Sequence, residues 1–73
     1  MDINAQLAAQ AIQEGLQKYP AMSSFGPRLV CRPVFGGVTF LVDYETRPAT
    51  DHPDAWEFQN AVVKAYKRLS GGE

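Results

Sequence analysis

The sequence predicts an α+β domain of order α-β-β-α, with two helices packed on one face of an antiparallel β-hairpin. Three observations carry this prediction. An alanine- and glutamine-rich segment ahead of Pro20 repeats apolar residues at three-and-four spacing, the period of a helix face. Two β-rich runs meet at Gly36-Gly37, and a second helical period runs from Pro53 to Leu69. The 73 residues allow a single domain over 1–73, with a helix at 3–19, strands at 28–35 and 38–46, a helix at 53–69 and a flexible tail at 70–73.

The first helix takes Asp2 or Asn4 as its cap. Ala5, Ala8, Ala9, Ile12, Leu16 and Tyr19 gather on one face, where small side chains let another element approach closely. Gly15 lies beside that stripe and costs about 1 kcal/mol against alanine, which implies close packing or local fraying there. Pro20 ends the helix, because the residue before a proline disfavours helical angles. Met22 to Pro27 reads as a loop rich in turn formers.

In the hairpin, a Gly36-Gly37 turn pairs Phe35 with Val38, Pro33 with Phe40, Cys31 with Val42 and Leu29 with Tyr44, all on one side. The other side pairs Arg28 with Glu45, Val30 with Asp43, Arg32 with Leu41 and Val34 with Thr39. Pro33 conflicts with this register, which asks its missing N–H to donate. A broken ladder, a four-residue loop or a bulge would each relieve the conflict. Thr46 to Pro53 is then a polar linker. Pro53 opens the second helix, with His52, Asp51 or Thr50 as cap and Asp54 complementing the helix dipole. Ala55, Phe58, Val62, Ala65 and Leu69 form its core stripe, with Ala61 and Tyr66 at the margins and Lys64, Lys67 and Arg68 in the last turns.

Composition narrows the function. One cysteine excludes an internal disulfide, and one histidine leaves a Cys/His zinc site two ligands short. Cys31 falls on the apolar hairpin face as a core thiol rather than a nucleophile. The run Thr50 to Asp54 is explained by turn and capping chemistry, and no phosphate loop or nucleophile elbow is present. The chain therefore reads as non-enzymatic, with no cofactor and no metal. A formal net charge of −1 gives no overall attraction to nucleic acid. No apolar run is long enough to span a bilayer, so a cytoplasmic setting is expected.

Partner binding is the remaining class. Trp56 and Val63 lie together on the second helix, away from its core stripe, with Gln59, Asn60 and Lys67 around them. Either they form a contact surface, or the first helix or the linker covers them. Arg28, Arg32 and Leu41 mark the outer hairpin face, where ion pairing with Asp43 and Glu45 accounts for the arginines without a ligand. Arg47 joins these arginines in a phosphate-binding alternative. Gln6, Gln10, Gln13 and Gln17 line a neutral strip that reads as a solvated face, flanked by Ile3 and Leu7. A two-stranded ribbon has two open edges, so a homodimer or another self-associating assembly is the alternative to a regulator, with weak nucleic-acid binding after it.

The α-β-β-α order on so short a chain resembles small bacteriophage proteins, head–tail joining proteins and host-takeover regulators among them. It is most similar to the short Xanthomonas-phage transcription regulators that bind host RNA polymerase. The likeness lies in length and general character and carries no residue across. It implies a protein partner, an RNA polymerase subunit, and altered host transcription.

Overall fold

Asn4 begins the first helix by accepting a hydrogen bond from the Leu7 N–H on its side-chain oxygen (3.1 Å), which satisfies one of the free donors of the first turn. In the computed structural model, which describes residues 3–46 and 49–71, this helix, α1, spans Ala5–Lys18. Asp2, the other proposed cap, lies outside the described residues. The order is α-β-β-α, as the periodicities predict: β1 (Pro27–Val34) and β2 (Gly37–Tyr44) form an antiparallel hairpin, and α2 (Ala55–Leu69) follows. Short 3-10 helices at Pro20–Phe25 and Ala49–Asp51 fill the connections.

The segment expected to be a loop is the first of these 3-10 helices. Pro20 opens it and Gly26, with φ of 64°, closes it. Its turn drops Met22 into the centre of the molecule, fully buried. The core is Ala11, Met22, Leu29, Val42, Ala55, Phe58, Val62, Ala65 and Tyr66. The α2 stripe matches the sequence expectation except that Tyr66 is buried and Leu69 is only half-buried.

The inward face of α1 overlaps the expected one but is rotated from it. Ala8, Ile12, Leu16 and Tyr19 of the expected stripe pack against the core, together with Ile3 and Leu7; Ala11 and Gly15 are buried at its centre, and Ala5 and Ala9 are exposed. Gly15 explains the rotation. A β-carbon there would lie 2.7 Å from Val62 Cγ2 and 2.9 Å from Phe58 Cε1, so the helices meet at a point only glycine allows. Close packing, not fraying, is the role of Gly15.

The hairpin turns one residue earlier than Gly36-Gly37. Val34 pairs with Gly37, leaving Phe35-Gly36 as the loop, and Leu29 pairs with Val42, Cys31 with Phe40 and Pro33 with Val38. Gly36 has φ of 88° and no non-glycine residue among the described residues has positive φ, so only the second loop position is left-handed. That is the pattern of a type II turn, not the primed turn expected. The register moves by two residues, so both faces keep their members except Phe35, which enters the turn. This shift resolves the conflict at Pro33. Residues flanking a two-residue loop exchange hydrogen bonds, and the ladder alternates from there. Pro33 therefore sits in a non-bonded pair, and its missing N–H faces outward. Two observations agree with this alternation: the outward N–H of Val42 donates to Gln59 Oε1 at 3.2 Å, and Glu45 N–H reaches the Gly26 carbonyl at 3.3 Å.

α2 starts two residues later than Pro53, with Asp54 as its cap residue. Ahead of it, the Asp54 N–H donates to His52 Nδ1 at 3.0 Å and the Ala55 N–H to the His52 carbonyl at 3.0 Å. These bonds make His52 part of the turn, with its ring edge-on to Phe25. At the other end, Ser70 and Gly71 extend the helix terminus through bonds to the Tyr66 and Arg68 carbonyls, while 72–73 of the expected tail lie outside the described residues. α1 packs on α2 and β1, and α2 packs on β2. Asn4 N–H donates to the Tyr66 hydroxyl at 3.0 Å, tying the start of α1 to the second half of α2.

Candidate protein-binding surfaces

α2 carries two stripes. Phe58, Val62 and Ala65 face the core, whereas Trp56, Asn60, Val63 and Lys67 recur at i, i+4, i+7 and i+11 and share another face. Trp56 is 69% exposed, so neither α1 nor the linker covers it. Val63 is half-buried and packs against the core margin, and Lys67 is exposed. Beside Trp56 a shallow cleft of about 200 Å³ is walled by Val42, Tyr44, Thr50, Ala55 and Gln59. Gln59 is fixed there by its bond to the β2 backbone, so the cleft wall is ordered by the hairpin itself.

Tyr44 adds chemistry to that wall. Its hydroxyl is buried and has no hydrogen-bond partner among the described residues, and burial raises its pKa above the usual tyrosine value. Its ring lies 6.5 Å from that of Phe58, centroid to centroid. Tyr19 is also shifted upward, by desolvation first and then by the Glu57 carboxylate, which accepts its hydroxyl at 3.4 Å.

The residues singled out from sequence divide between two surfaces. Trp56, Val63 and Lys67 share one face of α2. Arg28, Arg32 and Leu41 lie on the hairpin face turned away from the helices. On that outer face Arg28 pairs with Asp43 at 3.6 Å, not with Glu45, and both side chains are well exposed, so the pair adds little stability. Arg32 lies opposite Thr39 and Leu41 opposite Val30, as the shifted register requires. Arg47 lies outside the described residues. Among the last-turn cations, Arg68 is held by Glu14 of α1, whose two carboxylate oxygens accept from the same guanidinium nitrogen.

Three further features were not anticipated. Phe35, at the hairpin tip, is fully exposed, and Val34 and Val38 beside it are exposed as well. The signal was Pro33: demanding an outward position for it moves the turn and puts Phe35 at the tip. Second, one side of the expected stripe stays open while Ala8, Ile12, Leu16 and Tyr19 pack against the core. Ala5, Ala8, Ala9 and Ile12 form one wall of an apolar groove of about 390 Å³, with Pro27 and Leu29 opposite. Third, Cys31 is free and half-buried rather than a core thiol, because the helices stop short of covering it.

No helix among the described residues is long and apolar enough to cross a membrane. No protein-family model matches the chain, and no curated protein or solved structure matches it either.

Proposed function

We propose that this chain is a non-enzymatic protein-binding domain whose contact surface is the Trp56 face of α2 and the cleft beside it. The observation that carries this reading is the exposure of Trp56 on a regular, well-packed helix, next to a cleft whose Gln59 wall is bonded to the β2 backbone. An exposed tryptophan is among the side chains most often found at the energetic centre of an interface. Asn60 and Lys67 supply a polar rim, and Lys67 favours a partner that presents a carboxylate next to an apolar side chain. The finer reading, a phage-type regulator that engages an RNA polymerase subunit and alters transcription, rests on the whole-chain resemblance alone.

Affinity capture from bacterial lysate with the full chain tests both levels. Trp56→Ala, verified as folded by circular dichroism, is expected to lose the captured proteins. Equal capture by this variant overturns the Trp56 surface. RNA polymerase subunits are expected among the captured proteins, and their absence overturns the polymerase reading.

A further inference from the structure

The register fixes which backbone groups the hairpin leaves open, and its two edges differ. On β1 the outward positions are Pro27, Leu29, Cys31 and Pro33, two of which have no N–H to offer. On β2 they are Val38, Phe40, Val42 and Tyr44. The Val42 N–H is occupied by Gln59 and the Tyr44 N–H by the Asp43 carboxylate at 3.0 Å. The Val38 and Phe40 N–H groups and carbonyls have no partner among the described residues; Val38 is exposed, and the helix cover ends at Phe40, which meets Tyr66. An open edge of this kind is a template for another strand.

We propose that the strand it receives is β2 of a second copy, paired antiparallel about a two-fold axis at Thr39. In that register Val38 of each copy exchanges two backbone hydrogen bonds with Phe40 of the other, giving four bonds that use every open N–H of the edge. The side chains agree with it. Val38 meets Phe40 twice on the helix-bearing face, and Thr39 meets Thr39 on the other, a cross-strand pair that favours sheets. Asp43, the one charged residue of β2, falls opposite the Phe35 tip of the second copy and not opposite another acid. The product is a four-stranded sheet whose outer edges are both β1. Their prolines stop further addition, so the assembly closes as a dimer and does not grow into a fibre. A two-stranded ribbon is marginal by itself, and doubling it supplies the neighbours it lacks. This inference is argued from the β2 edge alone and not from Trp56, although the tip of the second copy comes next to the Gln59 wall of the cleft beside it.

Sedimentation of the full chain over a concentration series tests it, with the mass expected to rise from 8.1 kDa toward twice that value. Val38→Pro removes an outward N–H while leaving the β1–β2 ladder intact, so it is expected to weaken the dimer about tenfold or more. Because a proline variant can fail to fold, Thr39→Cys in a Cys31→Ala background gives a second measurement. A non-bonded pair on the axis brings the Cα atoms to about 4.5 Å, within disulfide reach, so oxidation is expected to yield a covalent dimer. The same experiment with Val34→Cys, on the same face but on β1, is expected to yield none. A chain that stays monomeric throughout overturns the inference. So does a dimer that folded Val38→Pro does not weaken, or one that cross-links as well through position 34 as through 39. Trp56→Ala is expected to keep the dimer, which separates this result from loss of the partner surface.

Discussion

The two halves of the hairpin obey the same alternation and meet opposite fates. At its base Leu29 and Val42 face each other and are 7% and 5% exposed, sealed under α1, α2 and Met22. Toward its tip, Pro33 and Val38 occupy equivalent positions on the same face, yet Val38 is 43% exposed. The difference is one of reach. The apolar face continues along both strands, while the helices cross it only at the base and touch its middle through the contact of Tyr66 with Phe40, at 5.3 Å between ring centroids. An apolar face longer than its cover gains no burial energy from its outer part, so that part is free to serve another chain.

Two phenylalanines give the sharpest test of this contrast. Phe58→Ala, at a fully buried site, is expected to cost about 3–5 kcal/mol, a large share of the stability of so small a domain. Phe35→Ala, at the tip, is expected to change stability by less than about 0.5 kcal/mol. Denaturant unfolding of both measures the difference, and comparable losses would mean that the tip is covered in solution. Next in size is Gly15→Ala. Alanine gains about 1 kcal/mol of helix propensity, but its methyl group must displace Val62 and Phe58. The expected outcome is a net loss of about 1–3 kcal/mol in chemical denaturation. A gain would show that α1 and α2 are not locked together at this point.

A gain of similar or smaller size than the Gly15 loss is expected at Tyr44, where base and cleft meet. Its buried hydroxyl has no partner among the described residues, so Tyr44→Phe is expected to stabilise the fold by about 1 kcal/mol at neutral pH. The pH dependence has a definite sign. Burial lets the folded chain hold the phenolic proton to higher pH than the unfolded chain does, as it also does for Tyr19. Stability is therefore complete below pH 10 and falls as the pH rises through the folded-state pKa. Melting curves across that range are expected to fall less steeply for Tyr44→Phe than for the native sequence. A destabilised variant would show that the hydroxyl is bonded in solution.

What was legible in the sequence follows from period and sign. The element order, the α2 stripe and the two hairpin faces all rest on repeats of 3.6 or 2. The faces survive even the corrected turn, because a shift of two residues leaves a period of two unchanged. Of the surfaces, the Trp56 stripe was readable for the same reason, since i, i+4, i+7 positions stay together in any helix. Tertiary structure decided the rest. Two glycines offered two turns, and the hydrogen-bond ladder chose the one that spares Pro33 from donating. The α1 sequence presented one small-residue stripe with Gly15 beside it, and contact with Phe58 and Val62 turned the helix so that Gly15 faces inward. Whether Trp56 was covered depended on where the linker ran, and how far the helices reached along the hairpin depended on their packing angle. Neither is encoded in any local repeat. Local periodicity fixes which side chains share a face; only the contacts between elements decide which faces are closed and which are left for a partner.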